Sequence, residues 1–214
     1  VVQEFGHRPK RVAESDVEDY PGLWLRGTAK NGLAGAFPAF PLAEELEGDR
    51  NLRVTKTADY VAATKGTRTY PWRVLGIAQH DGDLITNSLV YLLAGASQIQ
   101  DTAWIRPGKV AWDWYNANNL AGVDFKAGVN TQTYKYFIDF AAQNGIEYVV
   151  LDEGWYVLGD LLKTAPNMDV DEIVSYAKSK QVGIILWVVA KTLEDQMAPA
   201  LDKFEKWGVR GIKV

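Results

Sequence analysis

The 214-residue chain contains no cysteine and only two histidines, His7 and His80. Without cysteine, disulfide bonds and thiolate metal sites are excluded, and the redox compartment is left open. The two histidines stand far apart in the sequence. A histidine-based zinc site or a Ser-His-Asp triad is therefore not favoured by the sequence.

The chain also lacks long runs of basic or apolar residues. Its net charge is −4, with no cluster of lysine and arginine, so nucleic acid is not expected as a partner. No apolar run approaches the roughly 18 residues that a membrane-spanning helix needs. The chain opens on Val1 rather than on methionine, which leaves room for an upstream targeting segment.

Acids and tryptophan are plentiful by contrast. There are 27 aspartates and glutamates and eight tryptophans, in a chain that is 47% hydrophobic. This content suffices for one large domain or two small ones. Tryptophan rings beside carboxylates suit flat, hydroxyl-rich ligands such as sugars. The alternative is that the tryptophans only fill the core.

The first half of the chain, up to about residue 95, carries β signals. Residues 69–79 read as a strand, and the Asp-Gly pair within residues 80–83 is typical of a hairpin turn. Glycines and prolines between residues 32 and 41 mark loops. We expect part of an antiparallel sandwich here, with His80 incidental to function.

The second half alternates strands and helices. Asn130 is a candidate N-cap, and Asn144-Gly145 is a helix-ending signal. Because each crossover contains one helix, the strands are expected to be parallel with right-handed connections. The predicted strands are residues 110–114, 147–152, 182–189 and one starting near 208, and the predicted helices are residues 131–143, 168–180 and 193–207.

Two α/β architectures fit this alternation: a doubly wound open sheet and the first half of a (β/α)8 barrel. No Gly-x-Gly-x-x-Gly follows any predicted strand, which argues against a dinucleotide-binding sheet and a nicotinamide oxidoreductase. Polar and aromatic residues stand at several strand exits, and barrel active sites are built at the C-terminal strand ends. The barrel is therefore the preferred fold class, preceded by part of an antiparallel β-sandwich.

Acids, aromatics and a lysine converge on these strand exits. Such a mouth suits glycoside hydrolysis, in which carboxylates act as acid, base or nucleophile. Several of these side chains could also have purely structural roles. Asp152 and Glu153 could form ion pairs, and Lys191 and Glu194 could be solvent-exposed charges at the start of a helix. Of Trp112 and Trp114, only one is expected to reach a ligand, while the other packs against a helix.

Longer motifs carry a resemblance to a known family. The segments "DTAWIRPGKVAWDWYN" and "GVDFKAGVNTQTYKYFIDFAAQNGIEYVVLDEGWY" closely resemble glycoside hydrolase family 97, and "GIILWV" and "GVRGIKV" continue the match in order. Upstream, "ESDVEDYPG" and "RTYPWRVL" look like the end of that family's N-terminal β-sandwich. The resemblance covers nearly the whole chain.

The resemblance implies a bacterial, periplasmic or secreted, calcium-dependent exo-α-glucosidase or α-galactosidase acting on oligosaccharides. Residues 1–98 would end the β-super-sandwich, and residues 99–214 would form the first four units of the catalytic barrel. The catalytic carboxylates would then lie beyond Val214, and this chain alone would be inactive. Glu14 resembles the family's sandwich-domain calcium ligand.

Six residues are predicted to bind the sugar. Acids would hold its hydroxyls, a tryptophan would form an apolar wall, and Lys213 would donate to a hydroxyl and favour ionisation of a neighbouring nucleophilic acid. The alternative is a carbohydrate-binding or scaffold protein without turnover. The predicted sugar-binding residues are Asp113, Asp152, Glu153, Trp155, Trp187 and Lys213.

Overall fold

The computed structural model describes residues 10–30, 32–48 and 50–214. His7 lies outside the described residues. The chain forms two compact units, one made of the described residues up to Glu45 with Leu52–Thr102, the other of Leu46–Asn51 with Ala103–Val214. Within the described part of the chain, no helix combines the length and apolarity needed to cross a bilayer.

The first unit is rich in β-structure. Strand β1 pairs antiparallel with β6, β2 pairs antiparallel with β3, and β4 pairs with β5. Two short helices follow β6. The elements are β1 Lys10–Ser15, β2 Trp24–Gly27, β3 Leu33–Ala36, β4 Pro41–Glu47, β5 Asn51–Thr57, β6 Trp72–Ile77, α1 Asp81–Ile85 and α2 Leu89–Leu93.

The prediction of a hairpin turn at residues 80–83 is wrong. Asp81 begins helix α1 instead, and the Asp83 carboxylate accepts the backbone N–H of His80 at 3.1 Å, which stabilises the helix start. Strand β6 finds its partner far upstream, with Glu14 opposite Arg73 in the β1–β6 register. Because β1 already pairs with β6, no strand is needed after the Asp-Gly pair to form a hairpin with β6.

The second unit contains a four-stranded parallel sheet in the order β12-β11-β8-β7. Helices separate the successive sheet strands, as the sequence predicts, and a small antiparallel pair, β9–β10, follows β8. The elements are β7 Val110–Trp112, a 3-10 turn Asp113–Asn116, α3 Thr131–Gln143, β8 Tyr148–Leu151, β9 Tyr156–Val157, β10 Asp160–Thr164, α4 Val170–Ser179, β11 Gly183–Trp187, α5 Ala190–Trp207 and β12 Gly211–Lys213.

Helix α3 forms where local signals place it. The Asn130 side chain accepts the Thr133 N–H at 2.9 Å, which satisfies one of the free donors of the first turn. The apolar residues recur at helical spacing and are buried. Gly145, at φ +60°, takes the left-handed conformation that ends the helix. The buried face consists of Tyr134, Phe137, Ile138 and Ala141.

Helix α5 begins three residues earlier than predicted and is kinked. Gln196 has non-helical torsions, and Pro199 follows three residues later. Proline offers no N–H to the preceding turn and crowds the carbonyl four residues before it, so the kink falls where its ring requires. The Gln196 Oε1 accepts the Leu161 N–H at 2.9 Å, which ties the kink to β10.

The core of this unit lies on the face of the sheet that α3, α4 and α5 cover. Alternate residues of β8 and β11 point into it and are almost fully buried. This packing fixes which residues remain for the opposite face. The core residues of the sheet are Ala111, Val149, Leu151, Ile184 and Leu186.

Candidate active site

Side chains from three of the parallel strands meet on the sheet face opposite the helices. The register sets Trp187 beside Lys213 and Trp112 beside Val150. Asp152 follows Val150 by two residues and so points to the same side. The register thus brings together residues that lie up to about a hundred positions apart in the chain.

Asp152 is the centre of this cluster. Its side chain is only 5% exposed, and its Oδ2 accepts hydrogen bonds from Lys213 Nζ and from Trp112 Nε1, each at 2.5 Å. Its Oδ1 accepts the Glu153 N–H at 2.8 Å. The Lys213 ammonium also lies 3.9 Å from the Trp112 ring centroid. We call Trp112, Asp152 and Lys213 the site triad.

Burial and hydrogen bonding act on Asp152 in opposite directions. Burial alone raises the pKa of this carboxyl, but the hydrogen bonds from Lys213, the Glu153 N–H and Trp112 outweigh it, so the pKa of Asp152 lies below its ordinary value. The carboxylate is therefore ionised at neutral pH. The sequence predicted only that Asp152 and Lys213 share one mouth, and the structure brings them into direct contact. Their binding of a sugar stays a prediction.

Glu153 and Trp187 border the triad. The Glu153 carboxylate is held by both terminal nitrogens of Arg50, at 2.8 and 2.6 Å. The Arg50 guanidinium carbon lies 5.8 Å from the Trp187 ring centroid. Trp187 is partly buried and packs at a tilted angle on Tyr156. Both residues remain predicted sugar contacts.

Trp155 does not serve as the predicted wall of a sugar pocket. Its side chain is fully buried (0% exposed), and it packs edge-on against Phe204 and Trp207 of α5. Its Nε1 donates to the Trp187 carbonyl at 2.7 Å. The turn at Gly154, where φ is +107°, sends the indole into the helix layer, so no surface of the ring is left for a ligand.

Asp113 also lies elsewhere than predicted. It follows Trp112 directly and so points the other way, towards α3, where it is 1% exposed. Its Oδ2 accepts hydrogen bonds from the Tyr134 hydroxyl and from Asn118 Nδ2, while Oδ1 has no partner among the described residues. Burial raises the pKa of Asp113 above its ordinary value. In this position it cannot hold a sugar hydroxyl.

Glu14, the calcium ligand that the resemblance implies, is bonded to protein groups in this structure. Its two carboxylate oxygens accept the Leu23 N–H at 3.0 and 2.9 Å, and Arg73 pairs with it at 2.8 Å. Calcium requires several oxygen ligands. Among residues 10–30, 32–48 and 50–214, no group of three or more potential metal-ligating side chains is found.

Two contributors to this region were not predicted as sugar-site residues. The sequence did point to Trp112, because it lies near a predicted strand end and one of Trp112 and Trp114 was expected to reach the ligand. Trp114 instead lies in the 3-10 turn after β7, 60% exposed. Nothing in the sequence pointed to Arg50, because it lies 103 residues before Glu153. Lys191 pairs with Asp195 at the start of α5, which agrees with its structural alternative.

Two family models match the chain. The glycoside hydrolase 97 model matches residues 112–214, and the glycosyl-hydrolase 97 N-terminal model matches residues 8–95. Together they account for most of the sequence, including every residue of the site triad.

Curated relatives support the same assignment. A retaining α-galactosidase of Bacteroides thetaiotaomicron is 44% identical over 208 residues, which is 95% of this chain and 31% of the relative. A probable retaining α-galactosidase of Streptomyces bingchenggensis is 36% identical over 203 residues, covering 88% of this chain and 30% of the relative. The chain thus spans about a third of the length of these relatives.

Solved structures share the fold. Two structures of a glycoside hydrolase family 97 enzyme from a Pseudoalteromonas species, one of a point variant and one in complex with acarbose, match with TM-scores of 0.72 and 0.71. Each is 22% identical to this chain and covers 94% of it and 30% of the other chain. From the two family models, the identities and the shared fold, it follows that the chain belongs to glycoside hydrolase family 97.

Proposed function

We propose that the protein containing this chain is a retaining exo-acting α-glycosidase that removes terminal α-linked sugars from oligosaccharides, with α-galactosides as its preferred substrates. The preference for galactose is supported by the two curated relatives, both named retaining α-galactosidases. The acarbose complex concerns a protein of only 22% identity, so glucosides enter the proposal as the competing substrates.

The site triad is the observation that carries this proposal. An ionised carboxylate, an ammonium and an indole stand within contact distance on one sheet face. A sugar offers hydroxyls that need both donors and acceptors, and C–H faces that pack on aromatic rings. Asp152 and Lys213 supply the first, while Trp112 and Trp187 supply the second.

The catalytic architecture is part of the proposal. The four parallel strands would be the first half of a (β/α)8 barrel over residues 99–214, and residues 1–98 would end a β-sandwich. Two carboxylates from later strands would act as general acid and nucleophile. Lys213, a cation at the end of β12, would favour the ionised form of a nucleophilic acid placed beside it.

Calcium dependence and a periplasmic or secreted location are proposed from the family resemblance alone. The described residues do not form a calcium site, as the pairing of Glu14 with Arg73 illustrates. Any calcium ligands would thus have to come largely from other parts of the polypeptide. A chelator titration of the full-length protein, with calcium add-back, tests this separately from the glycosidase activity.

The test of the proposed function uses the full-length polypeptide that contains this chain. Aryl α-galactosides and α-glucosides are the substrates, and proton NMR follows the anomer of the sugar first released. We expect faster hydrolysis of the galactoside and initial release of the α-anomer. Release of the β-anomer would overturn the retaining mechanism. Galactose binding without hydrolysis of any α-glycoside would favour a carbohydrate-binding or scaffold protein instead.

A further inference from the structure

The segment Leu46–Asn51 belongs by its contacts to the second unit, although it joins β4 to β5. Arg50 lies in this segment, immediately before β5. Its guanidinium group reaches the region bordered by the ends of β8 and β11. No strand of the parallel sheet supplies this residue, so its presence there calls for an explanation.

Arg50 contacts two predicted sugar-binding residues at once. Both of its terminal nitrogens bond to Glu153, one to each carboxylate oxygen, at 2.8 and 2.6 Å. Such a fork-to-fork pair fixes the orientation of the carboxylate as well as its position. The same guanidinium lies 5.8 Å from the Trp187 ring centroid, within the range of a cation–π contact.

These two contacts lead directly to the site triad. The Glu153 N–H donates to Asp152 Oδ1 at 2.8 Å, so the orientation of Glu153 is coupled to that of Asp152. Trp187 is the register partner of Lys213, whose ammonium pairs with Asp152 Oδ2 at 2.5 Å. Arg50 therefore contacts Glu153, which neighbours Asp152, and Trp187, which neighbours Lys213. In this way it borders both members of the Asp152–Lys213 ion pair.

We propose that Arg50 is a positioning residue of the sugar site, which locks Glu153 and Trp187 into one wall and thereby sets the affinity for the bound sugar. The inference rests on the proposed glycosidase function and deepens it. Lysine can replace arginine only in part here, because its ammonium keeps the charge but neither bonds both carboxylate oxygens in one plane nor lies flat against the indole. The residue acts through its neighbours and is not assigned a catalytic role.

The same hairpin offers a matched control. Arg53 pairs with Glu45 at 2.9 Å, and the two side chains are 58% and 64% exposed. Arg50 and Glu153 are 37% and 30% exposed. Both pairs have the same chemistry, but the Arg53 pair involves neither Trp187 nor any other residue of the sugar site. Exposed pairs of this kind contribute little on their own.

The experiment compares Arg50→Ala, Arg50→Lys and Glu153→Gln with Arg53→Ala in the full-length protein. Steady-state kinetics on an aryl α-galactoside give KM and kcat separately, and thermal unfolding gives the stability of each variant. For Arg50→Ala we expect KM to rise about tenfold with a smaller change in kcat, because a displaced wall weakens sugar positioning. Arg50→Lys should recover part of this loss, and Arg53→Ala should behave like the wild type.

A double-mutant cycle completes the test. Arg50→Ala and Glu153→Gln should not add in their effects on KM, because each removes the same interaction. Wild-type KM in Arg50→Ala, or a loss that only follows the folded fraction, would overturn the inference while leaving the proposed function standing. Absence of hydrolysis by the wild type would overturn the proposed function instead. The inference is then decided by galactose affinity, measured by calorimetry on the same variants.

Discussion

The two faces of the four-stranded parallel sheet are built from the same strands but differ in chemistry. The face towards α3, α4 and α5 is apolar, with Leu151 and Leu186 fully buried. The opposite face carries the triad at the strand ends. Strand alternation alone separates the two sets, since Leu151 and Asp152 are adjacent in the chain. One face is therefore expected to govern stability and the other to govern ligand binding.

The comparison also shows how a charge is accommodated next to a core. Asp152 is nearly as buried as its apolar neighbours, yet it keeps its charge because Lys213, Trp112 and a backbone N–H satisfy it. Asp113, on the helix side, accepts hydrogen bonds from the described residues at one of its two oxygens only. The two carboxyls therefore have pKa values displaced in opposite directions.

The largest expected effect comes from breaking the polar face with Asp152→Asn. Removing one partner of a buried charge pair costs about 2–5 kcal/mol, which corresponds to roughly 30-fold to several-thousand-fold in kcat/KM. Lys213 would lose its counter-ion, and one of the two carboxylate oxygens that accept hydrogen bonds would become an amide donor. Hydrolysis of an aryl α-galactoside by the full-length protein measures this. Asp202→Asn, an exposed acid on α5, is the control, and equal activity of the two variants would contradict the prediction.

Ile138→Ala should break the apolar face instead. Ile138 is fully buried on α3 within the core cluster, and deleting such a side chain costs about 2–5 kcal/mol of stability. Denaturant unfolding measures the shift in midpoint. The activity of the molecules that remain folded should be unchanged, in contrast to Asp152→Asn. A matching change at the exposed Gln132 should leave the midpoint nearly unaltered, and a specific loss of kcat/KM in Ile138→Ala would contradict the separation of the faces.

The pH dependence of stability should differ in sign between the two carboxyls. The raised pKa of Asp113 means that its favourable contribution is complete below its unfolded pKa, near the ordinary 3.8, and is lost as pH rises through the folded value. Asp113→Asn should thus gain stability relative to the wild type as pH rises from 4 to 7. The pKa of Asp152 is lowered, so its stabilising contribution is complete at pH values above its unfolded pKa, near 3.8. That contribution is lost as pH falls through the lower pKa of the folded state.

Unfolding midpoints measured at intervals from pH 3 to pH 7 test both statements. For Asp113→Asn, the difference from the wild type should change above pH 4, and for Asp152→Asn it should change below pH 4. A parallel pH profile for the two variants would contradict the assignment. The Tyr134 hydroxyl that bonds to Asp113 does not interfere, because its own pKa is raised far above this range.

The smallest effect is expected from the local signal at the start of α3. Asn130→Ala removes the side-chain acceptor of the Thr133 N–H and should cost about 1 kcal/mol of stability. Activity should be unchanged in the same assay. Gln143→Ala at the exposed end of the helix should shift the unfolding midpoint by less. A cost as large as that of Ile138→Ala would mean that the cap does more than complete the first turn.

Elements with local signals could be predicted from the sequence. The predicted bounds of α3 are those observed, because its cap, its apolar spacing and its terminal Asn-Gly pair all lie within 16 residues. The Asp-Gly pair after β6 predicts a hairpin turn that does not form, because the partner of β6 is β1, some 60 residues upstream. Arg50 was missed for the same reason, since nothing near it in the sequence signals Glu153.

The site divides in the same way. The sequence by itself determined that acids, aromatics and Lys213 would stand at successive strand ends, because parallel strands with helical crossovers share one C-terminal edge. Only the tertiary structure decided which of them face one another. It joined Asp152 to Lys213 and Trp112, and it turned Asp113 and Trp155 into the helix layer. The reason is physical: side-chain direction at a strand end depends on register and on the turn that follows, and both are fixed by contacts with distant residues.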